Sequence, residues 1–470
     1  MNKHPAARRH SARIASRVPA PAPGPAAAAA AAAAAKRSQL PPAASSRSKS
    51  LLHRLLDRQI DARAIRSFEK RSVQQRFSNF NERVKCDLFA PPSGSEQTPH
   101  GVEHLRERRT CVLELVVAGG LIFGLADSGI CCGFDMDSGR RVVTLNASSQ
   151  EVIRSLFHNK SNSTLIIVSV WAADEYSSLR CRACSLEDLA SGSAGRSDKL
   201  FESESLKHPG FVEFDDVNQK VLTFCSLRAR YKVWSMLDPK RVMFDLADRD
   251  IEEIKISPGI MLLVLKRGGG DLGAHQPLRI LSIETGEVLR DFKQLVKRGV
   301  KIVVIEQFNQ KLLLQQEGEP LLIIDLLSNE TVTVPRERFQ TPFAFIFLYE
   351  HQCFLSFRDS EVLLWNFRGE KVTTFADHKL WFPAAVHDHT SIIFITQTQD
   401  VIISLCNNGL LPNGIHDVKI HVSHISTGEC LAKVNWHDRN NQCVTAISYN
   451  EVRGELVVGD EIGCIWIWSA

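Results

Sequence analysis

From Cys111 onward the sequence keeps returning to one local pattern: a short run rich in Val, Ile, Leu and Phe, a tight turn, and another short apolar run. Runs of four to eight such residues read as strands rather than helices. The turns are Asp137-Ser-Gly139, Glu284-Thr-Gly286, Ser328-Asn329, Arg368-Gly369 and Ser426-Thr-Gly428. In each, Gly or Asn supplies the positive φ that a tight hairpin reversal needs. The residue about three to five positions before each turn is a useful landmark. It falls at Phe134, Ala183, Trp234, Leu281, Ile324, Trp365, Ser423 and Trp468, in steps of about 41 to 58 residues. A four-stranded unit of roughly 40–45 residues is the length of one β-propeller blade. Longer steps imply inserted loops, and two stand out, from Arg267-Gly-Gly-Gly-Asp271 onward and from Asn407 to Asp417. The expected fold is therefore all-β, a single β-propeller over 111–470 with eight blades. Seven is the alternative, if the unit at 151–190 is an insertion.

Some of these units resemble WD repeats. The segment Leu456-Val-Val-Gly459-Asp-Glu-Ile-Gly463-Cys-Ile-Trp-Ile-Trp468-Ser469 is similar to that family's strand-turn-strand consensus ending in Trp-Asp. So are Phe354-Leu-Ser356 through Asp359-Ser-Glu-Val-Leu-Leu-Trp365-Asn366, and Tyr231-Lys-Val-Trp234-Ser235. Lys207-His208, Asp377-His378 and Trp436-His437 echo the family's Gly-His pair. The chain also resembles a plant group of WD-repeat-like proteins that share the segment from Lys49 through the connector. The resemblance implies a buried His, a Ser or Thr and a Trp that pin neighbouring strands by hydrogen bonds. His208, Thr223 and Trp234 are the candidate set here, with His437 and Trp468 in the corresponding places of the last unit. The family's usual acid is missing from most units. No activity is implied.

Counting strands raises a closure problem. The last unit stops at Trp468-Ser-Ala470 with no fourth strand after it. An open ring would expose unpaired edges, so a strand N-terminal to Cys111, at 84–88, is predicted to supply the missing one. The chain before it divides into three stretches. Residues 1–50 are an Ala/Pro/Arg/Ser-rich arm that cannot bury enough surface to offset ordering entropy, and is read as disordered. No Asp or Glu precedes Asp57, so the arm is wholly basic, while the net charge of the chain is only +4. Residues 51–80 form a basic amphipathic helix: Leu51, Leu52, Leu55, Leu56, Ile60, Ile65 and Phe68 recur at helical spacing, with Arg54, Arg58, Arg63, Arg66 and Lys70 between them. Such a helix packs on the propeller, or binds a partner or a membrane surface. Residues 81–110 are connector and closing strand.

Several function classes fall away. No run of about 18 apolar residues exists to span a membrane, and no signal-peptide core is visible. The twelve cysteines therefore read as reduced, packed thiols, and Asn146 and Asn162 as unused glycan acceptors. Cys181-x-x-Cys184 lacks a second ligand pair, and strand residues three apart point to opposite faces. Asp135-Met-Asp137-Ser-Gly139 lacks the acid that would complete a calcium loop. Gly268-Gly-Gly270 is followed by no Lys-Ser/Thr, and His387-Asp388-His389 reads as a solvated loop. No catalytic residue, cofactor or metal site is expected.

What remains is shape and surface. A rigid frame carrying loops is where recognition residues sit, so the expected function is a non-enzymatic scaffold for protein partners. Its presenting loops would be Trp171–Ser178, His208–Gly210, Asp377–His389 and Trp436–Asn441. Trp381, Phe382 and Trp436 are candidate anchors, because aromatic groups dominate interface energetics; packing between blades is the alternative for them. Trp365-Asn-Phe-Arg368 resembles the Trp-Asp-x-Arg motif by which WD-repeat substrate receptors dock on a cullin-RING ubiquitin ligase adaptor, which would give Trp365 and Arg368 a partner. Nucleic acid held by the basic arm is a further alternative, though the arm lacks aromatics for stacking. The expected compartment is nucleus or cytoplasm, or plastid or mitochondrion if residues 1–50 are a transit peptide.

Overall fold

The computed structural model describes residues 73–91 and 108–469, apart from connecting segments at 195–196, 202–205, 208–210, 216–218, 226, 248–250, 258–259, 266–274, 309, 343, 349–350, 359–360, 376, 381–391, 411–415 and 436–442. The arm and most of the amphipathic stretch lie outside the described residues. The backbone is helical at 73–78.

Eight antiparallel sheets make up the rest, one per blade of an eight-bladed propeller. Blade 1 is Val112–Ala118, Leu121–Ala126, Cys131–Asp135 and Arg141–Thr144. Blade 2 is Glu151–Asn159, Thr164–Trp171, Ser178–Ser185 and Ser197–Leu200, with Leu206–Lys207 also pairing on the third strand. Blade 3 is Phe211–Asp215, Lys220–Cys225, Arg230–Ser235 and Val242–Ala247. Blade 4 is Ile251–Ser257, Ile260–Leu265, His275–Ser282 and Val288–Lys297. Blade 5 is Ile302–Phe308, Lys311–Gln316, Leu321–Asp325 and Thr331–Val334. Blade 6 is Ala344–Leu348, Cys353–Arg358, Glu361–Asn366 and Lys371–Thr374. Blade 7 is Ile393–Ile395, Val401–Leu410, His416–His424 and Cys430–Asn435. Blade 8 is Val444–Asn450, Glu455–Asp460 and Cys464–Ser469, completed by Asn81–Asp87 from the other end of the chain.

All eight landmark residues lie on the third strand of a blade. In five blades the pairing of third and fourth strands slips by one residue immediately before the landmark, at Gly133/Phe134, Val233/Trp234, Ile280/Leu281, Leu364/Trp365 and Val422/Ser423. Such a bulge sharpens the local twist. The turn that follows is a recurring one. Gly139, Gly286, Asn329 and Gly428 each donate a backbone N–H to the carbonyl of Asp135, Ser282, Asp325 and His424. Gly428 has φ +66°, and a Cβ there would sit 2.7 Å from the Thr374 carbonyl oxygen on the outer strand of blade 6. Gly428→Ala should therefore cost about 1–3 kcal/mol from the left-handed backbone alone, with the clash in addition. Urea denaturation reads this directly, and a variant as stable as the parent would contradict the tight blade-to-blade contact.

Alternation along the strands fills both sides of each blade. Leu363 packs towards blade 5 and Leu364 towards blade 7. The result is eight separate apolar clusters, one in each gap between neighbouring blades, including the gap between blades 8 and 1. The ring is thus closed, and it is closed by Asn81–Asp87, which runs antiparallel to Cys464–Ser469 with Val84 opposite Ile467 and Cys86 opposite Ile465. Charges reinforce the joint. Arg83 pairs with Asp137 in the blade 1 turn and with Glu455 in blade 8, and Arg453 contacts the same two acids.

Candidate functional site

The strand order fixes which connections share a face. In an antiparallel blade the links from strand 2 to 3, and from strand 4 to the next blade, leave from one end; the links from 1 to 2 and from 3 to 4 leave from the other. The longest connections mostly belong to the first class: 266–274 between second and third strands, and 335–343, 375–392 and 436–443 between blades. The opposite face carries mostly tight turns, with the short helix Leu186–Ala190 of blade 2 as its one long excursion among the described residues. The loops expected to present recognition residues thus join strand ends on a single face. Trp381, Phe382, Trp436, His208 and His437 themselves lie outside the described residues.

Other expected residues can be placed. Trp234 donates its indole N–H to Thr223 at 2.8 Å, and Trp365 donates to Ser356 at 2.9 Å. Trp365 is only 3% exposed, so its ring belongs to the blade interior and Arg368 is the part of that motif that reaches solvent. Asn366 caps the turn: its side-chain oxygen accepts from Arg368 N at 2.9 Å and Glu370 N at 3.0 Å. In blade 8 the locking indole is Trp466, which donates to Asp460 at 3.0 Å. Trp468 packs half-buried on the edge of the same cluster. Asp460 also accepts from Cys464 N and Ile462 N, and burial pushes its carboxyl above the usual range. Cys181 and Cys184 lie in different gaps, between blades 2 and 3 and between blades 1 and 2.

The densest chemistry lies in the seam between blades 6 and 7. His378, in the connection that enters blade 7, is buried, with Nε2 2.7 Å from Ser404 Oγ and Nδ1 3.2 Å from Ser423 Oγ. Ser404 Oγ also lies 3.6 Å from Cys406 Sγ. Ser404 stands directly opposite His421 on the paired strand. His378, Cys406 and His421 are all buried, and their nitrogen and sulfur atoms lie within 4.8 Å of one another. Burial holds His378 down at about 3 and His421 at about 4, and pushes the Cys406 thiol up to about 12. All three are neutral at neutral pH. At the mouth of the seam Lys433 pairs with Asp377 at 3.6 Å.

Two members of this set carry a sequence signal, His378 as part of a Gly-His-like pair and Ser423 as a landmark. Ser404, Cys406 and His421 belong to no recognisable motif. Their only trace is polar residues two apart, Ser404-Leu-Cys406 and His421-Val-Ser423, inside otherwise apolar strands.

No curated protein matches the chain by sequence. Among solved structures, the computationally designed Ika8 protein matches at 14% identity over 77% of this chain and 97% of its own, with a TM-score of 0.47. BamB from Moraxella catarrhalis matches at 12% over 83% and 100%, TM-score 0.44. The Pan2 WD40 domain of Neurospora crassa matches at 10% over 83% and 95%, TM-score 0.38. Residues 65–468 match the family model described as a domain of unknown function (DUF7899), and the chain belongs to that family.

Proposed function

We propose that this protein is a non-enzymatic scaffold that presents one loop-rich propeller face to protein partners. The observation that carries the reading is the sorting of the longest connections: most leave the strand ends of one face, above eight blades whose interiors are filled with apolar side chains. Rigid strands then fix where each loop begins and ends, which lowers the ordering cost of binding. No helix among the described residues is long and apolar enough to cross a membrane.

Loop replacement tests this. Segments 381–391 and 436–442 are exchanged for Gly/Ser linkers, the turn 326–330 is exchanged in a control, and partners of the full chain are compared by quantitative crosslinking. The expected result is a loss of about tenfold or more in specific partners for the first two and little change for the control, as truncating central anchors costs more than 1–2 kcal/mol. An unchanged partner set in all three would remove the reading. A second reading rests on exposed Arg368 on the opposite face, which would dock a ubiquitin-ligase adaptor. Arg368→Ala should then lose the adaptor in the same assay, and equal recovery would eliminate that role.

A further inference from the structure

We propose that His378, Cys406 and His421 form a binding site for a soft monovalent cation, Cu⁺, in the seam between blades 6 and 7. Pinning a blade needs only a histidine and a hydroxyl, and His378 with Ser404 already supplies both. A second imidazole and a thiol converging on the same spot go beyond that need. Bonds of about 2.0–2.3 Å from a metal to nitrogen and sulfur put three donors roughly 3.5–4 Å apart. The present spread within 4.8 Å requires an inward shift of about an ångström. Cys406 and His421 project from paired strands, so their backbones are already held.

The surroundings prepare the ligands. The binding tautomer of His378 carries its proton on Nδ1, where Ser423 Oγ at 3.2 Å can accept it. That leaves the lone pair on Nε2, 2.7 Å from Ser404 Oγ, which itself lies 3.6 Å from Cys406 Sγ. Binding rotates the Ser404 hydroxyl away from Nε2 and releases the Cys406 proton to solvent as the metal–sulfur bond forms; no electron moves. A hydrogen bond to the far nitrogen of a ligating histidine is the usual orienting device.

Charge selects the ion. One thiolate, two neutral imidazoles and Cu⁺ sum to zero, which a buried site tolerates. A divalent ion would leave one positive charge unbalanced among buried side chains. Thiolate and imidazole are donors that Cu⁺ and Zn²⁺ both accept, so the charge balance decides between them.

The test is an anaerobic titration of the full chain with Cu⁺ against a chromophoric competitor, with Zn²⁺ in parallel and copper X-ray absorption on the loaded wild type. One Cu⁺ per chain is expected, with two nitrogen ligands and one sulfur. Cys406→Ser and His421→Asn should each weaken binding about 100-fold. A sulfur-only spectrum would overturn the site, because it would mean capture by other cysteines, and so would variants that bind as tightly as wild type. Tighter binding of Zn²⁺ at the same residues would overturn the assignment to a monovalent ion. Where a variant fails to fold, the wild-type spectrum decides alone.

Discussion

Deleting residues 1–91 is expected to leave a chain that no longer folds cooperatively and that aggregates. Deleting residues 1–50, whose composition offers nothing to bury, should leave the melting temperature within about a degree or two. The difference lies in the closing strand and its flanks. Phe77, Phe80, Cys86, Leu88 and Phe89 are all buried against blades 8, 1 and 7. At about 1.5–3 kcal/mol per large apolar side chain, their loss approaches the whole of a typical domain's stability, about 5–15 kcal/mol. The deletion would also bare one edge of Cys464–Ser469, whose other edge pairs with Glu455–Asp460. Circular dichroism melts and gel filtration of the two truncations make the comparison. A monomeric, cooperatively melting 92–470 chain would show that ring closure is dispensable.

The second large effect is expected at the corner between blades 1 and 2. Glu151 is fully buried and accepts from Ala147 N at 2.6 Å and from the Arg182 guanidinium at 3.1 Å. Arg182 donates to the Leu145 carbonyl as well, at 2.6 Å. Asn146 completes the corner by accepting from Cys131 N and donating to Gly129 and Glu151 carbonyls. Removing one member of such a pair strands the other in a place without water. Glu151→Ala and Arg182→Ala should each cost about 3–5 kcal/mol. The double variant should cost clearly less than their sum, since neither charge is then left alone. Urea melts of the three variants provide the cycle. Single costs below about 1 kcal/mol, or strict additivity, would mean that the pair is solvated and unimportant.

What was legible in the sequence was whatever local chemistry dictates. A turn that needs Gly or Asn at positive φ advertises itself, so the third strands could be placed from Gly139, Gly286, Asn329 and Gly428, and the strand count pointed to a partner for Cys464–Ser469. Parity was equally readable: Cys181 and Cys184 are three apart and do face different gaps. Parity also marks the limit. Trp466 and Trp468 are two apart on one strand, so alternation cannot say which indole meets Asp460; the structure assigns Trp466. Likewise Trp365 in a surface-like motif is a core residue, because it packs against Phe339 and Phe354 in the gap between blades 5 and 6. The His378, Cys406 and His421 group depended on knowing that Ser404 pairs with His421. That register is set by packing across the blade, which no local run of residues encodes.

Ring closure also orders the protein's birth. Blades 1 to 7 each draw their strands from one continuous stretch of chain, so each can form soon after it leaves the ribosome. Blade 8 cannot. Asn81–Asp87 emerges before any blade, yet its ladder partner Cys464–Ser469 is made after all the others. Throughout translation that strand is an unclaimed edge, the condition in which nascent chains pair wrongly with their neighbours. Such distant pairing is slow, so the last step in building the ring is the meeting of Asn81–Asp87 with Cys464–Ser469, and a nascent chain of this protein should lean on chaperones until it happens.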